Sequence, residues 1–77
     1  MVEKYYALPG VEREVSQGDL ERALGRLRVS ERQKDFFRMA FYDEMTNAQI
    51  AEQEGLSRGY VKTARSRVLC LVRAYLD

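Results

Sequence analysis

The residues able to do chemistry in this chain are cations at helical spacing. Arg58, Lys62, Arg65, Arg67 and Arg73 stand in the stretch from Ser57 to Asp77 against one carboxylate, Asp77, for a net charge of +4. The residues before it carry eight basic and eleven acidic side chains, a net charge of −3. Such an asymmetry directs the last segment toward a polyanion, although a solvated basic helix fits the charge alone equally well. Taking the apolar stripe of that segment as inward, the opposite direction holds Gly59, Lys62, Thr63, Ser66, Cys70 and Arg73. Arg58 and Arg65 flank it on one side, Tyr60 and Arg67 on the other. A guanidinium or ammonium group can bind a guanine edge, and a threonine methyl can meet a thymine methyl. Arg58, Gly59, Lys62 and Thr63 are therefore candidates for base edges, with small Gly59 and Ser66 letting the helix sink close. Arg65, Arg67 and Arg73 suit phosphates, which position without specifying. Thr46 and Asn47 open the preceding helix and could offer backbone N–H groups to a phosphate.

The rest of the inventory excludes other chemistries. There is no histidine and one cysteine, Cys70. That rules out a disulfide framework and a Cys/His zinc site within one chain, and a lone thiol fits a reducing compartment. No activated nucleophile, phosphate-binding glycine loop or metal cluster is present, so the expectation is a non-enzyme with no cofactor and no small-molecule substrate. Asp43-Glu44 reads as a solvated loop, Phe36-Phe37 with Phe41 as core, and Cys70 as an inert surface thiol. No apolar run is long enough to span a membrane and the N-terminus lacks a secretory pattern, so a cytoplasmic location is expected. Seventy-seven residues, 45% hydrophobic, with 32% charged residues spread along the chain, fit one small folded domain rather than a disordered segment.

The elements that must position the cations are helices. Residues 1–15, with a Pro9-Gly10 turn, read as an arm or linker with at most local structure, in which Tyr5 and Tyr6 pack on the helices. Residues 16–77 read as the helical domain. After Ser16, Leu20, Ala23, Leu24 and Leu27 form one apolar stripe, and Asp19 suits the first turn. Ser30 with Gln33 and Thr46 with Gln49 have capping-box spacing. They open helices over about Glu31–Tyr42 and Asn47–Glu54, the second facing inward with Ile50 and Ala51. Gly55 can adopt the left-handed conformation that ends a helix, and Ser57 can cap the next. There Val61, Ala64, Val68, Leu71, Val72 and Tyr75 fall on one stripe that runs as far as Leu76. No segment alternates as a strand should. The expected class is all-α, four short helices with a C-terminal helix-turn-helix over about residues 46–67. In that motif Ala51 permits close crossing, Gly55 supplies the turn, and Ile50 and Val61 lock the pair so that the second helix can fill a major groove.

The stretch Leu20–Leu76 resembles region 4 of the sigma-70 family, in its extracytoplasmic-function branch. The resemblance is carried by LERALGRL, VSERQKDFF and MTNAQIAEQEGLSRGYVKTARSRV, above all by Ile50-Ala51-Glu52, Gly55-Leu56-Ser57, Val61-Lys62-Thr63 and Arg67. It implies a bacterial or phage-encoded, sequence-specific transcription regulator that reads promoter −35 DNA and contacts the flap of RNA polymerase. Thr46, Ser57, Arg58, Gly59, Tyr60, Lys62, Thr63, Arg65, Ser66 and Arg67 are the implied DNA-binding set. Leu20, Leu24, Phe37 and Phe41 lie where family members grip the polymerase. Ser30 stands where the family usually has proline, and Gly59 where many members carry a longer side chain. The chain has no room for the region that melts DNA, so the expectation is a freestanding regulator or an excised domain. A second reading is a protein-binding module that uses the sigma-like fold to occupy RNA polymerase or an anti-sigma partner.

Overall fold

The computed structural model describes residues 3–76. Two short strands, β1 (Tyr5–Ala7) and β2 (Glu14–Ser16), precede four helices: α1 (Gln17–Arg26), α2 (Glu31–Phe41), α3 (Asn47–Glu54) and α4 (Arg58–Leu76). Every helix begins after a hydroxyl residue. The side chains of Ser16, Ser30, Thr46 and Ser57 accept from the N–H groups of Asp19, Gln33, Gln49 and Tyr60 at 3.1, 3.2, 3.1 and 3.1 Å. Each cap satisfies one donor that the first helical turn cannot, worth about 1 kcal/mol. At Thr46 the reciprocal bond is also present, its N–H donating to Gln49 Oε1 at 2.9 Å. At Ser30 only the hydroxyl half of the expected box forms. Gly55 ends α3 at φ 68°, ψ 35°, a left-handed conformation in which a Cβ would crowd the following carbonyl.

The strands are a departure from the sequence reading, which expected none. Tyr5, Tyr6 and Ala7 pair antiparallel with Ser16, Val15 and Glu14. The turn is tight because Pro9 fixes one φ and Gly10 takes a φ of 80°, so that the Val11 N–H reaches the Leu8 carbonyl at 3.1 Å. The hairpin sends Leu8 and Val15 into the core. Three-residue strands are too short to show a period of two, which is why the pattern was invisible.

The core has two parts, and α4 is the spine of both. Leu8, Val15, Leu20, Ala23, Leu24, Phe37, Val68 and Val72 form one cluster joining the hairpin, α1, α2 and the far half of α4. Phe36, Ile50, Ala51, Val61 and Ala64 form the other, joining α2, α3 and the near half of α4. Adjacent Phe36 and Phe37 therefore face different clusters from one helix. The inward stripe of α4 is narrower than its sequence suggests. Leu71 and Tyr75, expected inside, are 36% and 45% exposed. The covered stripe continues instead through Leu69, Val72 and Leu76, leaving Leu71 and Tyr75 to one side of it.

A polar lock holds α1 to α2. Arg38 donates to Glu21 through Nη2 at 2.9 Å and Nε at 3.1 Å, and Tyr42 adds its hydroxyl to Glu21 Oε2 at 2.7 Å. Partial burial by itself would raise the Glu21 pKa, but the hydrogen bonds from Arg38 and Tyr42 outweigh it and hold the carboxyl below its ordinary value. The same burial, with the Glu21 charge beside it, pushes the Tyr42 phenol above the usual tyrosine range. Tyr6 packs on Tyr42 with ring centroids 5.0 Å apart, tying the hairpin to this lock, while Tyr5 stays exposed.

Candidate nucleic-acid interface

Residues 46–67 form a helix, a three-residue turn and a second helix, with Ala51, Ile50, Val61 and Ala64 buried where α3 and α4 cross. Burial of Val61, Ala64, Val68 and Val72 fixes the rotation of α4 about its own axis. Arg58, Gly59, Lys62, Thr63, Ser66 and Arg67 are all exposed. They lie on its outer side over three turns, which are the deepest-reaching part of such a helix in a groove. Tyr60 is half-exposed, its ring set edge-on to Phe36 at 6.3 Å. Cys70 is exposed farther along the helix.

The cations of this face have no carboxylate partner, as Lys4, Arg13, Arg26 and Arg28 also have none among the described residues, whereas part of the helical body is ion-paired. Arg22, Arg32, Lys34 and Arg38 all lie within 4.0 Å of a carboxylate. Among the described residues, Arg58, Lys62 and Arg67 form no ion pair, and the first turn of α4 holds no acidic residue. Three cations are thus left uncompensated on one face of α4, where a polyanion would supply the missing charge.

Four of the sequence-derived assignments are refined. The Thr46 N–H is already bonded to Gln49 and is not free for a phosphate, although Thr46 itself is exposed at the mouth of α3. Ser57 uses one lone pair of its oxygen as a cap and still has its hydroxyl hydrogen to donate to a phosphate. Arg65 is partly buried rather than outward, with Nη1 donating to Asn47 Oδ1 at 2.7 Å and the guanidinium 5.6 Å from the centre of the Phe41 ring. Arg73 packs against the hairpin turn, where a Cβ on Gly10 would collide with its guanidinium, and so stands apart from the cluster at the start of α4.

The residues expected to grip a polymerase require correction. Leu20, Leu24 and Phe37 are fully buried, and Phe41 is partly buried against the same cluster. Leu20, Leu24 and Phe37 fill the core and leave no surface for a partner, while Phe41 keeps part of its surface exposed. The amphipathic stripe was visible in the sequence, but not that the hairpin and α4 would cover it completely. Sequence reasoning also missed the Arg65–Asn47 bond and the Glu21–Arg38–Tyr42 lock. Their separations of 18, 17 and 21 residues follow no local period.

Among the described residues, no cluster of His, Cys, Asp and Glu could hold a metal ion, and no helix is long and apolar enough to cross a membrane. An open groove along α3 and the loop before it is lined by Asp43, Glu44, Met45, Gln49, Glu52 and Gln53. Its carboxylates would repel a phosphate backbone.

Fold and surface together define a helix-turn-helix domain with a basic recognition helix. The family model described as "Sigma-70, region 4" matches residues 17–69, and the chain belongs to that family of DNA-binding domains associated with transcription. Neither the curated proteins nor the solved structures contain a significant match to the chain.

Proposed function

We propose that this protein is a sequence-specific transcription regulator that lays α4 in the major groove of promoter DNA and acts with bacterial RNA polymerase in the cytoplasm. The observation that carries the reading is the row of unpaired cations, Arg58, Lys62 and Arg67, interleaved with Gly59, Thr63 and Ser66 on the exposed side of a helix whose other side is locked in the core. Arg58 and Lys62 read base edges, Thr63 offers its methyl to a thymine, and Arg67 neutralises a phosphate. Gly59 and Ser66 keep the helix surface low between them. Family membership supports both the DNA and the polymerase partner.

The test is selection of bound duplexes from a random pool, with and without RNA polymerase. A recovered consensus supports the reading. Arg58→Ala should then cost about 1–3 kcal/mol and relax the preference at one base pair. A pool that shows no enrichment while the protein still co-purifies with polymerase would replace this reading with that of a protein-binding module.

A further inference from the structure

We propose that Arg65 is a positioning residue: its guanidinium latches α4 to the start of α3 and to α2, fixing the angle at which the recognition helix leaves the domain, and contacts no phosphate. The inference rests on the DNA-binding reading for its consequence and on geometry for its substance. The turn at Gly55 joins α3 and α4 at one end only. Asn47 is the first residue of α3 and Arg65 the eighth of α4, so each lies about 12 Å from the turn at 1.5 Å per residue. The Arg65–Asn47 bond of 2.7 Å closes the open end of this pair of arms. Apolar packing holds α4 on either side of this point, through Val61 and Ala64 before it and Val68 and Val72 after it, but carries no directional bond between the two arms. At the end of a lever this long, a slip of about 1 Å rotates the helix by about 5°. The ring of Phe41 lies 5.6 Å from the same guanidinium and ties α2 into the latch. Only a planar cation can serve both partners, bonding through its edge while its face rests on a ring.

A latch and a phosphate contact make opposite predictions. Loss of a phosphate contact makes the dependence of log affinity on log salt shallower by about 0.9, whereas loss of a latch weakens binding without changing that slope. On the duplex recovered from the random pool, Arg65→Ala should bind about tenfold more weakly at an unchanged salt slope, a fraction of what one charged hydrogen bond and one cation–π contact are worth because the site is only partly buried. Arg67→Ala, the phosphate-contact control, should show the shallower slope. Arg65→Lys keeps the charge and should bind as weakly as Arg65→Ala. Asn47→Ala should weaken binding in the same direction, and the double variant should be little worse than Arg65→Ala alone. A slope reduced by about 0.9 in Arg65→Ala, or full affinity in Arg65→Lys, overturns the proposal. The same cycle read by thermal melting without DNA separates the two readings. If the wild type enriches no duplex, the DNA-binding function fails. The latch is then judged by melting alone, where non-additive Tm shifts for Asn47→Ala and Arg65→Ala support it and additive shifts overturn it.

Discussion

Gly59 offers the sharpest test of how closely α4 approaches its target. It is the second residue of the helix, and a Cβ built there meets no atom of the described residues within 4 Å. Packing within the chain therefore gives no reason for a glycine. A helical glycine costs about 0.5–1 kcal/mol relative to alanine. Gly59→Ala should stabilise the protein by that amount, and at about 4–8 °C per kcal/mol for a domain of this size Tm should rise by about 2–8 °C. If the first turn of α4 lies against base edges, the added methyl occupies the space the bases need. Disturbing one such contact costs about 1–3 kcal/mol, a loss of affinity of roughly five- to 150-fold. Stability and binding should thus move in opposite directions. Gly25, in α1, is the control, because a Cβ there also meets nothing among the described residues. Gly25→Ala should raise Tm similarly and leave DNA affinity alone. Circular dichroism gives the melting curves, and fluorescence anisotropy on the selected duplex gives Kd. A Gly59→Ala protein that is more stable and binds DNA as tightly as the wild type would refute close docking of this turn.

Other substitutions probe separate links. Arg67→Ala should weaken binding to all sequences alike and make the salt dependence shallower by about 0.9, read by titrations at several salt concentrations. Gly55→Ala forces an L-residue to φ 68° and should cost about 1–2 kcal/mol, lowering Tm by several degrees even though its Cβ position is open. Because the Glu21 pKa lies below its ordinary value of 4.5 in the folded protein, its contribution is complete at neutral pH and is lost as pH falls below 4.5 through the depressed value. Glu21→Gln should therefore lower the urea midpoint at neutral pH and flatten its decline in acid. The Tyr42 phenol, raised by burial and the neighbouring Glu21, should ionise after the exposed tyrosines in an alkaline absorbance titration.

Local signals made the helical part of this fold legible. Ser16, Ser30, Thr46 and Ser57 each stand one residue before a helix, and hydroxyl capping acts over three residues, a range a sequence displays openly. The turn at Gly55 and the buried positions Ala51, Val61 and Ala64 follow from the same short-range logic. The outward set on α4 was legible because burial of one stripe dictates what faces away. What stayed hidden depends on tertiary contact. The hairpin exists because Leu8 and Val15 find a core contributed by α1, α2 and α4, and no local pattern announces that. Leu71 and Tyr75 sit on the apolar arc by period, yet the core covers the neighbouring stripe through Leu69, Val72 and Leu76 and leaves them at its edge. The charge of Arg65 is visible in the sequence, whereas its contacts with Asn47 and Phe41 appear only in the folded chain.

The burial of Leu24 changes how a polymerase contact has to be sought. A domain of this size has a net stability of about 4–12 kcal/mol. Leu24 is fully buried, so Leu24→Ala costs about 2–5 kcal/mol, a large fraction of that total. The variant should lose DNA binding and polymerase binding together, because both depend on the same folded state. Such a joint loss says nothing about where a partner sits. The contact, if made by α1, must use its exposed side chains, and Arg22 and Arg26 lie one turn apart on its surface. Arg22 has only a solvent-exposed pairing with Asp19 at 3.5 Å, an interaction of little energetic weight. Removing both charges, Arg22→Ala with Arg26→Ala, should change the melting curve and the affinity for DNA little while weakening retention by polymerase. Full retention by polymerase in that variant would place the contact elsewhere, and the exposed pair Leu71 and Tyr75 on the far half of α4 is the next surface to substitute.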